Sequence, residues 1–226
     1  MHIHTNIEIR DLGLYCEKEK TLVISDIHIG YEESLHKHGI LVPRVYFKEF
    51  LSRLEKMLPH VDTVVINGDL KHEFAGMSSS EWKGSKELFA LLEGKKIILI
   101  KGNHDPLLPF VFKNMEIVPF LKLGNVLIAH GDVILQEEAN IIIIGHEHCA
   151  IGLKEGNRIE RYKCFLKGKW KGNILIAMPS CNLAIEGTDV LRNERLSPYL
   201  QQNLENFEVF IIFDRVYLFG KVKDLQ

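Results

Sequence analysis

Short runs of Val, Ile and Leu recur along the chain at 21–25 (TLVIS), 61–66 (VDTVVI), 95–100 (KKIILI), 125–129 (NVLIA), 140–144 (NIIII) and 173–177 (NILIA). Runs this short and this apolar predict strands buried on both faces, as in parallel sheets. Between the early runs the period changes. Phe47, Phe50, Leu51, Leu54, Met57 and Leu58 recur at i, i+3, i+4 and i+7, which predicts an amphipathic helix over 46–58 that Pro59 stops. Ser78-x-x-Glu81 has the form of a capping box and predicts a second helix running through Leu88 to Leu92, with Gly94 placed to end it. A shorter helix is predicted over 31–38, closed by Gly39. Alternation of strands and helices in the first half implies β-α-β crossovers, while the second half is strand-rich with short connections. The expected fold class is therefore α/β, a sandwich. Two further strands, 207–213 and 216–222, either finish a sheet or form a homodimer edge. The polar stretch 71–86 has the length of a loop over a site. No repeat or linker divides the chain, so a single domain over 1–226 is expected.

The polar residues that follow these runs carry the chemistry. TLVIS is followed by Asp26-Ile27-His28, TVVI by Asn67-Gly68-Asp69 and KKIILI by Gly102-Asn103-His104-Asp105. NVLIA is followed by His130-Gly131-Asp132 and NIIII by Gly145-His146-Glu147-His148. The carboxyl ends of strands in an open α/β sheet form its ligand crevice, so five such ends converge although they span over 120 residues of sequence. His nitrogens with Asp and Asn oxygens, and no thiolate, suit two divalent cations of the Mn, Fe, Co or Zn kind. A carboxylate readily bridges two cations, and Asp69, after a glycine that lets the backbone turn tightly, is the natural bridge. A metal pair roughly 3.5–4 Å apart can hold a hydroxide and stabilise the entering and leaving oxygens of displacement at phosphorus.

Composition removes competing classes. The 226 residues carry 28 basic and 30 acidic side chains, a formal charge of -2, with 46% hydrophobic and 26% charged positions. That is too apolar for disorder, and no stretch reaches the roughly 18 apolar residues of a membrane span. No membrane partner is expected. The N-terminus shows no basic segment followed by an apolar one, so a cytoplasmic location is expected. Cys16, Cys149, Cys164 and Cys181 are scattered without C-x-x-C spacing, which points to packed, reduced thiols. Near-neutral charge gives no electrostatic case for wrapping long nucleic acid over the whole surface.

The ordered set Asp-x-His, Gly-Asp, Gly-Asn-His-Asp, His and Gly-His-x-His resembles the calcineurin-like metallophosphoesterase superfamily, whose five blocks are all present in order. The resemblance implies an αββα sandwich, two mixed sheets flanked by helices, without a cap domain, since only 78 residues follow His148. It implies two divalent metal ions, manganese first, with Fe, Zn, Co or Ni as alternatives. Asp26, His28, Asp69 and His148 would hold one; Asp69, Asn103, His130 and His146 the other. His104 would be the proton donor, with Asp105 orienting its imidazole. The stretches SDIHIGYEESLHKHGILVPR, NGDLKHEF and GHEHCA look most like small archaeal and bacterial phosphoesterases that include ligase-associated DNA damage response endonucleases. Cys149 stands where that group usually has Pro, and Lys101 where the protein phosphatase branch has Arg.

The implied activity is hydrolysis of a phosphodiester by a metal-bridging hydroxide, as a nuclease or a cyclic-nucleotide phosphodiesterase. The alternatives are a phosphomonoesterase or nucleotide pyrophosphatase, and a non-catalytic scaffold on the same fold. Arg44, Lys71, His72 and Asn103 are candidate contacts for substrate phosphate. Asp132 is either an acceptor behind a ligating imidazole or a loop carboxylate. Residues 154–171 hold seven basic side chains and the aromatics Tyr162, Phe165 and Trp170, a pattern that fits either a nucleic-acid track or a solvent-facing hairpin.

Overall fold

The computed structural model describes residues 1–225 except 75, 157 and 193, with residue 155 described by its backbone alone. Two mixed sheets form a sandwich. The first takes its strands in chain order: β1 (His2–His4), β2 (Ile7–Arg10), β3 (Gly13–Cys16), β4 (Thr21–Ser25), β5 (Thr63–Asn67), β6 (Lys96–Ile100) and β7 (Glu116–Val118). Strands β1 to β4 meander antiparallel, and β4 to β7 run parallel. The parallel connections carry helices α1 (Tyr31–Lys37), α2 (Tyr46–Met57) and α3 (Ser79–Leu91), then the single turn α4 (Leu108–Val111). Pro119 separates β7 from β8 (Phe120–Leu123), where the chain enters the second sheet.

That sheet continues with β9 (Val126–Ala129), β10 (Ile141–Ile144), β11 (Cys149–Glu155), β12 (Arg158–Trp170), β13 (Asn173–Ala177), β14 (Thr188–Asp189), β15 (Glu208–Ile212) and β16 (Val216–Lys221). The order is β14-β11-β12-β13-β10-β9-β8, with β15 on β12 and β16 on β15. Strands β9, β10 and β13 are parallel to one another. All six apolar runs and all three helices expected from sequence are present. The C-terminal pair finishes the sheet. Helix α3 takes up the second half of the expected 71–86 loop.

Burial explains the elements. All five residues of β4 are buried, because one face of the first sheet packs on helices and the other on the second sheet. Helix α2 buries Phe50, Leu54 and Met57, the stripe its period marked out. Ile128, Ile143, Phe165 and Ile176 of the second sheet join the same core, while their neighbours Leu127, Ile142, Ile144 and Leu175 face the opposite way. That outer face is covered by Val190, Tyr199, Leu200 and Leu204, an irregular segment rather than a helix. Helix α3 opens with the expected box: Ser78 Oγ accepts the Glu81 N–H at 3.3 Å, and the Ser78 N–H donates to Glu81 Oε2 at 2.6 Å. The four cysteines are buried and unpaired, and burial pushes the Cys16 and Cys181 thiols up to about 12. Among the described residues no helix is long and apolar enough to cross a membrane.

Because Phe50 is a fully buried anchor between α2 and the first sheet, Phe50→Ala should destabilise the fold by about 3–5 kcal/mol in urea unfolding. A loss below about 1 kcal/mol would mean that α2 contributes little to this core.

Candidate metal centre

The five polar blocks sit at the carboxyl ends of five strands, three in the first sheet and two in the second. Asp26 and His28 follow β4, Asp69 follows β5, Asn103 and His104 follow β6, His130 follows β9, and His146 and His148 follow β10. The chain turns sharply at these points. Asp26, His28, Asp69, His146 and His148 adopt positive φ of 55°, 46°, 48°, 63° and 52°. Each such residue costs about 1–3 kcal/mol, so strain is concentrated on this rim and held there by its surroundings. Gly68 has φ 80°, and a Cβ there would overlap the His130 ring; a Cβ on Gly102 would strike the Asp69 carboxylate. Side chains converge closely enough that two of the turns must be glycine.

Asp69 Oδ2 lies 3.5 Å from His28 Nε2 and 3.5 Å from His130 Nε2. Asp26 Oδ1 lies 3.3 Å from His148 Nε2, and the Nε2 atoms of His28 and His148 are 3.2 Å apart. On the other side His146 Nδ1 is 3.2 Å and Asn103 Oδ1 2.9 Å from His130 Nε2. Among the described residues three donor groups have ligand atoms within 4.8 Å of one another: Asp26, His28, Asp69 and His148; Asp69, His130 and His146; and His28, His72 and His104. Asp69 is common to the first two, the groups that contain a carboxylate. Asp26 is 0% and Asp69 2% exposed, and no Lys or Arg among the described residues pairs with either. Carboxylates buried without a cation are costly.

The protonation tendencies fit a cation. Burial pushes the Asp69 carboxyl up to about 7, against the pull of His130. Burial and the facing His148 push His28 down to about 2, and burial with His130 pushes His146 down to about 4. Neutral imidazoles with a lone pair to give are what metal ligation requires. His130 runs the other way: burial lowers it, but Asp26 and Asp69 together raise it. The donor types, and two buried carboxylates partnered by imidazoles rather than by lysine or arginine, therefore suit divalent metal ions.

Behind the rim lie residues that the sequence did not single out. Ser25 Oγ is 2.6 Å from Asp26 Oδ2 and 2.8 Å from the Asn67 carbonyl oxygen, and the His146 N–H donates to the Asp26 carboxylate at 3.0 Å. Ser180 Oγ donates to the Asp26 carbonyl at 2.7 Å, and Asn182 Nδ2 to those of Ile27 and His28 at 2.9 and 3.2 Å. Both follow β13, another parallel strand, so the strand-end rule applied once more would have found them. Glu147, inside Gly-His-Glu-His, is buried and accepts the Ser197 N–H at 2.8 Å, anchoring the irregular segment.

Several expected site residues lie elsewhere or act differently. The His104 backbone N–H donates to Asp69 Oδ1 at 2.9 Å, and its Nδ1 lies 2.7 Å from the His72 carbonyl oxygen. A carbonyl only accepts, so Nδ1 carries the proton and Nε2 is the nitrogen that exchanges one. Asp105 does not orient this ring. Its buried carboxylate accepts the backbone N–H groups of Leu70, Gly102 and Lys71 at 3.2, 3.3 and 3.5 Å, because the turn closed by its own N–H onto the Gly102 carbonyl points it back into the fold. Lys71 is 0% exposed, and its ammonium donates to the His104 carbonyl at 2.9 Å and to that of Glu73, so it is a brace rather than a phosphate contact. Arg44 pairs with Glu33 at 3.1 Å and with His36 Nδ1 at 3.1 Å on the outer surface, with no bond to the rim among the described residues. His72 does reach it, with its ring 5.5 Å from that of His104 and 5.6 Å from that of His28. The basic stretch forms the β11–β12 hairpin: Phe165 is core, Trp170 packs on Tyr199, Lys163 is bonded to the Ser180 carbonyl, and Arg161 and Lys167 pair with Glu186 and Glu208.

The Pseudomonas putida nuclease MPE shares this fold at a TM-score of 0.65, with 18% identity over 92% of each chain. A variant of Vps29 from Entamoeba histolytica aligns over 84% of each chain at 17% identity, with a TM-score of only 0.38. No curated protein sequence matches the chain. The model of the calcineurin-like phosphoesterase family matches residues 19–142, more than half of the sequence, taking in the blocks from Asp26 to His130. With the two histidines after β10 closing the same rim, the chain belongs to the calcineurin-like phosphoesterase family.

Proposed function

We propose that the chain is a two-metal phosphodiesterase acting on nucleic-acid or nucleotide diesters, with Asp26, His28, Asp69 and His148 around one cation and Asp69, Asn103, His130 and His146 around the other. The observation that carries this reading is Asp69 Oδ2 lying 3.5 Å from an imidazole nitrogen of each group. A carboxylate shared by the two groups in this way would be a ligand to both cations. Mixed nitrogen and oxygen donors without thiolate suit manganese, iron, cobalt, zinc and nickel alike, and manganese is placed first on the family resemblance alone. When bound, such a pair supplies Lewis-acid polarisation of the phosphoryl group and activation of water.

The chain's own groups do the rest. The half-exposed His104 exchanges protons at Nε2 and stands beside Asp69, where it protonates the departing oxygen. Asn103 brings an amide to the rim, whose N–H groups are suited to a phosphoryl oxygen in the transition state. Support for a diester rather than a monoester comes from the nuclease that shares the fold over 92% of each chain. A monoesterase would be recognised by faster turnover of monoesters in a side-by-side comparison, and a scaffold by no turnover with manganese after EDTA stripping.

Asp69→Asn removes the shared charge, so elemental analysis of the purified variant should show both cations lost, not one. A variant that retains about two manganese ions per chain would overturn the shared-ligand assignment. His104→Ala should keep its metal content while turnover of a dinucleotide falls about 10²–10⁴-fold, the usual size of acid catalysis. Near-native rates on that substrate would refute His104 as the acid.

A further inference from the structure

We infer that Glu81 is a positioning residue for His104, acting through the single peptide unit that joins His72 to Glu73. The inference rests on the proposed role of His104 and adds the group that sets its imidazole in place.

The His72–Glu73 peptide is a rigid plane with one acceptor and one donor at opposite ends. Its carbonyl oxygen accepts the His104 Nδ1–H at 2.7 Å, and its N–H donates to Glu81 Oε1 at 2.8 Å. Carboxylate, peptide and imidazole thus form one line of hydrogen bonds. A buried carboxylate at the N–H end polarises the amide and strengthens its carbonyl as an acceptor, which fixes the ring's tautomer and direction. The same Oε1 also takes the His72 N–H at 3.0 Å, a donor shared with the Ile29 carbonyl at 3.0 Å.

Helix capping alone does not explain this arrangement. A capping box needs one carboxylate oxygen, and Glu81 Oε2 fills that role by accepting the Ser78 N–H at 2.6 Å and the Ser78 hydroxyl at 2.9 Å. Oε1 is turned wholly to the loop. Glu81 is 0% exposed, and no Lys or Arg among the described residues pairs with it, so its charge is held by these donors. Room for it is made by Gly30, where a Cβ would stand 2.7 Å from Glu81 Cγ. From the far side the Lys71 ammonium ties the carbonyls of His104 and Glu73 together. The loop is therefore clamped on both sides of the peptide that touches the ring.

The test uses manganese-loaded protein and two diesters: a dinucleotide, whose leaving alkoxide needs a proton, and bis-p-nitrophenyl phosphate, whose leaving group departs unaided. Glu81→Gln should slow the dinucleotide about tenfold, the scale expected for a small misplacement, and the aryl ester less than about twofold. Combined with His104→Ala it should add nothing further. Ser78→Ala, which weakens the cap but leaves Oε1 in place, should not change the ratio of the two rates. Should Glu81→Gln fail to fold, Glu81→Asp keeps the charge and withdraws the carboxylate by one methylene, and the same selective loss is expected. Equal slowing of both substrates, or losses that multiply in the double variant, would reduce Glu81 to a structural cap. If His104→Ala slows the dinucleotide and neither Glu81 variant does, the inference alone fails; if His104→Ala has no effect, the acid assignment fails with it.

Discussion

Everything at the rim follows from placing two carboxylates out of water with no lysine or arginine paired to them. Asp26 and Asp69 are buried where the two sheets meet, and desolvating a charge costs several kcal/mol in a real protein interior. Five residues in left-handed conformation add to that cost. The apolar clusters on both faces of the second sheet, and between the first sheet and its helices, are what offset it. A cation would resolve that charge, and the imidazoles pushed toward neutrality beside it are suited to share it.

Much of this was legible in the sequence, for identifiable reasons. Parallel strands buried on both faces have no polar side to interrupt them, so β4, β6, β9, β10 and β13 stood out as unbroken runs. Helix α2 ended at Met57, next to Leu58 and Pro59, and α3 began at its box. Strands β1 to β3 did not stand out. They are three or four residues long, and β2 alternates buried Ile7 and Ile9 with partly exposed Glu8 and Arg10, too short a pattern to separate from a turn. Strand β12 was read only as a basic stretch, because its first four residues face solvent while Cys164, Phe165 and Leu166 enter the core.

What failed in the site reading failed for one physical cause: adjacency in sequence does not fix direction in space. Asp105 follows His104, yet the turn sends its carboxylate onto the backbone of Leu70, Lys71 and Gly102. Lys71 follows the Asp69 block, yet its ammonium is satisfied by two carbonyls inside the fold. Buried lysines held by carbonyl oxygens have no signature in composition. Glu81 shows the opposite case, since the capping box accounted for the residue locally and so concealed that half of its carboxylate faces the loop.

The division of the rim between the sheets has a mechanical consequence. Strands β4, β5 and β6 deliver Asp26, His28, Asp69 and Asn103, while β9 and β10 deliver His130, His146 and His148. Each of the two donor groups that contain Asp69 draws on both sheets: the first pairs three residues of one sheet with His148 of the other, and the second joins Asp69 to His130 and His146. Neither sheet alone presents either of these carboxylate-containing sets. Holding a cation in either group therefore ties the sheets together at their carboxyl ends, and the packing of Ile128, Ile143 and Ile176 against the first sheet sets the spacing at which the donors meet. Core packing and cation geometry are in this way one constraint, and a substitution that shifts the sheets by a fraction of an ångström acts on both at once.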